Sequence, residues 1–161
     1  MRKLVFGLLI IIAVSAFPFF IGVEAVNIPP VTLTASPSML TLNARADLGM
    51  LYVTLPVAEV YADGSYYINE NFDANFLLNN LNVGLAIRPK LPLIPLYVRV
   101  AADLPLLNFI TTQTFSTLDL KLGLGFKLLF FAVEGGMVAR FDSSMNIDFG
   151  NIFYFAVGGA L

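Results

Sequence analysis

The residues of this chain that could do chemistry are few, because it contains neither histidine nor cysteine. Without histidine the usual general base near neutral pH is missing, and without cysteine there is no thiolate for a metal or a disulfide. Two pairs, Asp119 with Lys121 and Glu134 with Arg140, could act as acid and base. A stabilising ion network accounts for the same residues more simply. We therefore predict that the protein is not an enzyme and has no cofactor and no metal site.

Ten charged residues share one face of the predicted strands, opposite an apolar stripe. Five are positive and five are negative: Arg45, Asp47, Arg88, Arg99, Asp103, Asp119, Lys121, Glu134, Arg140 and Asp148. A surface in water does not require such a balance, whereas an enclosed interior does, because an unpaired buried charge is very unfavourable. We expect these residues to form an ion network inside a barrel.

Strict alternation of side chains predicts the strands that carry this face. In Leu118–Lys127 every even position is large and apolar and every odd position is charged or glycine, which is the pattern of a strand with two unlike faces. The same pattern recurs in six segments: Leu40–Met50, Asn80–Arg88, Ile94–Asp103, Leu118–Lys127, Phe131–Phe141 and Ile147–Val157. We expect the apolar set to face lipid, including Leu120, Leu122, Val133, Met137, Phe153 and Phe155, while the charged set faces the lumen.

The composition favours a membrane protein that crosses with strands. Hydrophobic residues make up 58% of the chain and charged residues only 12%, whereas a soluble domain has about 45–50% and about 25%. Beyond residue 45 the charge-free stretches are too short for a spanning helix, which needs about 20 apolar residues. The predicted connections alternate between short turns and longer loops, as in an up-and-down antiparallel barrel. The barrel has eight strands if residues 51–79 form two further strands around the Asp63-Gly64 turn. The alternative is a barrel of six strands in which these residues form one long loop.

The N-terminus predicts a targeting segment. Arg2 and Lys3 precede an apolar run, so residues 1–25 are predicted to be a signal peptide, cleaved after Ala25 or, alternatively, after Ala16. A retained membrane anchor is the other interpretation. Residues 26–37, which hold three prolines, are predicted to be an extended periplasmic lead-in, and residues 38–161 to be the barrel domain.

A two-residue turn at Leu128-Leu129 would place Lys127 opposite Phe130. With this register Gly123 faces Glu134, and we expect glycines to make room for long charged residues across from them. Lys121 then lies diagonal to Glu134, within reach of an ion pair.

Together, the signal peptide, the absence of cysteine, the two-residue repeat and a strand at the C-terminus resemble small bacterial outer-membrane β-barrel proteins of the OmpA-transmembrane and OmpX type. The resemblance covers residues 38–161, although Leu161 departs from the C-terminal aromatic residue of such families. It implies an outer-membrane location, with membrane lipid and the barrel-assembly machinery as partners.

The expected function is structural, or an interaction in which the loops bind an unidentified extracellular ligand or protein. A narrow pore is one alternative, and a periplasmic lipocalin-like barrel with a lipid inside is another. A net charge of −2 gives no indication of nucleic-acid binding.

Overall fold

The computed structural model describes residues 19–28, 39–61, 63–90, 95–112 and 116–160. Nine strands and two short helices follow one another in this part of the chain. They are β1 (Phe20–Ile28), β2 (Met39–Leu48), β3 (Leu51–Val60), β4 (Tyr66–Ile68), α1 (Ala74–Asn80), β5 (Asn82–Ile87), β6 (Leu96–Pro105), α2 (Leu106–Thr112), β7 (Thr117–Leu128), β8 (Phe131–Asp142) and β9 (Ile147–Ala160). Among the described residues, no helix has both the length and the hydrophobicity needed to cross a membrane.

Eight of the strands form a closed antiparallel barrel, in the order β1-β2-β3-β5-β6-β7-β8-β9 and back to β1. Pairing between β2 and β3 completes the ring. The three-residue β4 lies outside it and pairs with the far end of β3. Closure leaves no sheet edge in the ring, so each of the eight strands has a hydrogen-bonded neighbour on both sides.

The two ends of the barrel differ. At one end, which we call the short-turn end, lie the β2–β3 and β7–β8 turns, the β5–β6 connection, the start of β1 and the end of β9. At the other, the long-loop end, lie α1, α2, β4 and the turn that follows β8. The two tightest turns thus lie at the short-turn end and the two helix-containing loops at the long-loop end, with Phe20 and Ala160 both at the short-turn end.

The prediction of an eight-stranded antiparallel barrel is confirmed, but one of its strands lies where none was expected. Phe20–Ile28 is the first strand, paired with both β2 and β9. The predicted start of the barrel at residue 38 is therefore wrong, because the ring closes only through a strand that overlaps both the predicted signal peptide and the lead-in. Residues 1–18 of that peptide and 29–37 of the lead-in lie outside the described residues. Of the two strands expected in residues 51–79, the first is β3, and the second corresponds only to the short β4 outside the ring.

The register between β7 and β8 differs from the prediction by two residues. Leu128 faces Phe131, so the turn lies at Leu129-Phe130. Leu129 adopts a left-handed conformation there, with φ of 53°. A shift of two residues changes every cross-strand partner but keeps every side chain on its face.

Apolar and charged side chains lie on opposite faces of the barrel wall. Leu120, Leu122, Phe153 and Phe155 are exposed on the outside of the barrel, while Lys121 and Glu134 are buried inside. Val133 and Met137 are half-buried on the outer face. The core of this protein is therefore its charged interior, supplemented by small apolar clusters such as Phe20, Ala132, Ala156 and Ala160.

Candidate functional site: a charge network inside the barrel

Eight charged side chains meet in the barrel interior, and none is more than 5% exposed. We call them the interior network: Glu24, Arg45, Asp47, Arg88, Arg99, Asp103, Lys121 and Glu134. They come from β1, β2, β6, β7, β8 and the residue after β5, because alternation turns each of them inward. Four are positive and four are negative, so the network as a whole is neutral.

Arg45 is the centre of one half of the network. Its Nε and Nη2 donate to the two carboxylate oxygens of Asp47 at 2.9 and 2.7 Å. Its Nη1 lies 3.1 Å from Glu24 Oε2 and 2.6 Å from Glu134 Oε2. The guanidinium also stacks over the Phe20 ring, 4.5 Å from its centroid. A forked guanidinium with an aromatic face beneath it is suited to holding several carboxylates in a fixed arrangement.

The Glu134 carboxylate is contacted by three arginines and a tyrosine. Besides Arg45, the Nε of Arg88 donates to its Oε1 at 2.9 Å, and Arg99 Nε lies 3.4 Å from its Oε2. The Tyr97 hydroxyl donates to Oε1 at 2.9 Å. Arg88 in addition forms an ion pair with Asp47. The predicted pairing of Glu134 with Lys121 is wrong, because the register places arginines around this carboxylate.

Lys121 instead reaches across the barrel to β1. Its Nζ lies 2.5 Å from Glu24 Oε1 and 3.4 Å from Asp103 Oδ2. Glu24 therefore links Lys121 to Arg45 and joins the two halves of the network. Sequence reasoning missed Glu24 because it lies in the apolar N-terminal run. The signal that could have found it is the alternation of Phe20, Gly22, Glu24 and Val26 with exposed Ile21 and Val23.

Arg99 is held by aromatic rings. Its Cζ lies 4.7 Å from the centroid of Tyr52 and 5.6 Å from that of Tyr154. Within the described residues, its three guanidinium nitrogens have no hydrogen-bond partner. Stacking on two ring faces stabilises the cation electrostatically, in addition to its ion pair with Glu134.

Glycines on the inner face of β7 make room for the tyrosines rather than for charged side chains. A methyl group at Gly125 would overlap the Tyr97 ring, and one at Gly123 would overlap the Tyr154 hydroxyl. The predicted role for glycine, space beside Lys121 and Glu134, is corrected accordingly: the residue opposite Glu134 is Gly125, and Gly123 faces Gly136. The space is needed because aromatic rings fill the lumen between the charged groups.

Three of the ten predicted network residues lie nearer the long-loop end. Asp119 and Arg140 face each other across β7 and β8 and form a two-pronged pair, with Nε–Oδ1 at 2.7 Å and Nη2–Oδ2 at 2.6 Å. Asp148 faces Arg140 from β9 and accepts a hydrogen bond from Asn151 at 3.3 Å. These residues are only partly buried, so they form a rim rather than part of the interior network.

The long-loop end is acidic. Outside the interior network it carries Glu59, Asp63, Glu70, Asp73, Asp119, Asp142 and Asp148 against one base, Arg140, in the part of the chain that the structure describes. The Ser65 hydroxyl and backbone N–H both donate to Asp63, which lowers the pKa of that carboxyl. Tyr61 donates to Glu59 at 2.6 Å, and this bond raises the pKa of the tyrosine. No group of acids among the described residues is arranged to hold a metal ion.

Among the described residues, two cavities adjoin the interior network. One, of about 180 Å³, is lined near the long-loop end by residues that include Asn43, Thr54, Asp119 and Arg140. The other, of about 280 Å³, is lined at the short-turn end by residues that include Phe20, Tyr97 and Ala132. Glu24, Arg45 and Glu134 line neither cavity and lie between them. This arrangement neutralises and fills the centre of the barrel. The predicted acid–base pairs are replaced by other pairs: Lys121 with Glu24, Glu134 with Arg45 and Arg88, and Asp119 with Arg140 nearer the long-loop end.

Comparison of the chain with protein-family models, with curated protein sequences and with solved structures yields no match. Function is therefore inferred from the barrel and its interior.

Proposed function

We propose that this protein is a non-enzymatic β-barrel of a bacterial outer membrane, sealed at its centre, with a structural or loop-presenting role. The observation that carries the proposal is the inverted distribution of polarity. Charged side chains form the interior, while large apolar side chains cover the outside. Such a barrel is matched to a hydrocarbon surrounding rather than to water.

The apolar exterior is continuous along individual strands. On β7 every second residue from Leu120 to Leu128 is a large apolar side chain on the outside, and Leu122 and Leu124 are 60% and 63% exposed. On β9, Phe149, Phe153 and Phe155 continue this surface. In water an apolar area of this extent would promote association. The strands of 10–14 residues in β6 to β9 also match the length that a tilted strand needs to cross a bilayer, about 9–11 residues.

The interior favours a sealed barrel over both alternatives. A pore needs a continuous aqueous path, whereas eight paired charges and the rings of Tyr52, Tyr97 and Tyr154 occupy the centre. Eight-stranded barrels are about filled by their own side chains. A lipocalin-like carrier needs an apolar interior for its lipid, and the polar lining of this lumen does not provide one.

The position of β1 favours the earlier of the two predicted cleavage sites. Cleavage after Ala25 would remove six residues of β1, including Glu24, and open the ring between β2 and β9. Cleavage after Ala16 leaves Phe20–Ile28 whole. We therefore propose export by a leader that ends at Ala16, assembly by the barrel-assembly machinery, and membrane lipid as the surrounding partner. Any extracellular ligand or protein would bind at the long-loop end.

Cell fractionation tests this proposal. The chain with residues 1–161, expressed in a Gram-negative host, should sediment with the outer membrane and remain there after sodium carbonate extraction. The folded barrel should also run faster than the boiled protein on a denaturing gel. Recovery in the soluble periplasm, with the protein folded, would overturn the membrane assignment.

A further inference from the structure

The cavity at the short-turn end combines positive charge with an apolar wall. Its volume is about 280 Å³, close to the lower limit of small-molecule pockets, about 300 Å³. Arg88, Lys90 and Lys127 line it together with Tyr97. The remaining lining is apolar: Phe20, Pro95, Leu96, Leu129, Ala132 and Ala160. Among the described residues, no acid lines the cavity.

The two lysines of this cavity form no ion pair within the described residues, whereas Arg88 is paired with Asp47 and Glu134. Lys90 and Lys127 repel each other electrostatically, and within the described residues neither forms an ion pair with an acid. The Arg88 side chain is 1% exposed, and its Nη1 has no hydrogen-bond partner among the described residues although the same side chain lines the cavity. A buried donor without a partner is unfavourable, and this donor belongs to a side chain that lines the cavity.

The charges of the whole barrel direct an anion to this end. Outside the neutral interior network, the described residues of the short-turn end carry two bases, Lys90 and Lys127, and no acid. The long-loop end carries seven acids and one base. A field of this polarity attracts anions to the short-turn end and repels them from the other.

From this geometry we propose that the cavity binds a phosphate oxyanion, supplied either by the headgroup of an anionic phospholipid or by free phosphate. Arg88, Lys90 and Lys127 line the same cavity, and three cationic donors suit a tetrahedral group with several acceptor oxygens better than a two-oxygen carboxylate. The apolar wall runs outward to Leu129, which is 79% exposed on the outer rim. An acyl chain attached to the phosphate could follow that wall into the surrounding hydrocarbon. The inference concerns a site that the sealed-barrel proposal does not use.

Calorimetric titration of the full chain, refolded in uncharged maltoside micelles, tests the proposal. The probes are dihexanoylphosphatidylglycerol, inorganic phosphate and, as a neutral amphiphile, hexyl glucoside. The test variant is Lys90→Gln with Lys127→Gln, which leaves the ion pairs of Arg88 in place. The matched control is Ser143→Asp with Ser144→Asp, which lowers the net charge equally at the exposed turn of the long-loop end.

We expect saturable binding of at least one phosphate probe, and a loss of about tenfold or more in affinity in the lysine variant, because two charge-assisted contacts are removed. The serine variant should bind like the unaltered protein. Binding of the phospholipid alone identifies a headgroup site, and binding of inorganic phosphate alone identifies free phosphate; both support the site.

Three results would overturn it. One is no binding of either phosphate probe, and another is equal weakening in the lysine and serine variants. The third is binding of hexyl glucoside as tight as that of phosphatidylglycerol and unaffected by the lysine substitutions. None of them bears on whether the protein fractionates with the membrane.

Discussion

Removing the charge of Lys121 should strongly destabilise the barrel, because this side chain neutralises two acids at once. Its Nζ lies 2.5 Å from Glu24 and 3.4 Å from Asp103. In Lys121→Met, Glu24 still has Arg45 at 3.1 Å. Asp103 has no other base within ion-pair distance among the described residues. Breaking a buried pair so that one charge stays unpaired lowers the free energy of unfolding by about 3–5 kcal/mol, and we expect a value in that range.

A double-mutant cycle separates the direct contact from the general effect of removing a charge. Glu24→Gln keeps the shape of the side chain and an acceptor oxygen, so we expect a smaller loss, about 1.5–3 kcal/mol, typical of a hydrogen bond to a charged group. Because Lys121 and Glu24 touch, their coupling energy should fall at about 1–3 kcal/mol. The equivalent cycle with Glu134→Gln should give a smaller coupling, since no ion pair joins Lys121 to Glu134 in the described part of the chain.

Reversible urea unfolding in lipid bilayers, followed by circular dichroism and gel mobility, measures these free energies. Lys127→Met is the matched control, because it makes the same substitution on the same strand but at the short-turn end. Its free energy of unfolding should change by no more than about 0.5 kcal/mol. A coupling of zero between Lys121 and Glu24 would refute the cross-barrel pairing, and a larger coupling with Glu134 would in addition contradict the β7–β8 register.

Three further predictions address the seal, the first strand and one glycine. In planar bilayers the pure protein should show no stable large channel, because the interior network fills the lumen; steady nanosiemens openings would contradict the sealed barrel. A mature chain starting after Ala16 should refold in detergent, whereas one starting after Ala25 should not, since it lacks most of β1; equal folding of the two by gel mobility would show that β1 is dispensable. Gly136→Ala should lower the free energy of unfolding by about 1–3 kcal/mol, because its methyl group would meet the backbone of Gly123 across the sheet. Gly135→Ala, with no contact closer than 3.7 Å, is the control and should be nearly neutral in the same urea titration.

The local alternation of side chains was sufficient to predict the two faces of the barrel and most of its strands. Side chains alternate with a period of two in any strand, so the separation of Leu120 and Leu122 from Lys121 follows from their order alone. The same two-residue period places Arg45, Arg99 and Glu134 on one inner face without any knowledge of their partners. This assignment of side chains to the two faces is unaffected by the error in the β7–β8 turn, because a shift of two residues leaves each face unchanged.

The partners of those residues were decided only by the tertiary structure. Lys121 on β7 and Glu24 on β1 are separated by β8 and β9 and meet across the lumen, so no rule about neighbouring strands could pair them. Glu24 itself lies in an apolar run that also predicts a leader, and local sequence cannot distinguish a leader from a strand whose outer face is apolar. Ring closure makes the distinction, because β2 and β9 both require β1 as a neighbour. Within the predicted strands, sequence alone therefore determined which side chains point inward. The closed barrel added β1 with Glu24 and determined which side chains meet, since those contacts depend on register and on distances across the lumen.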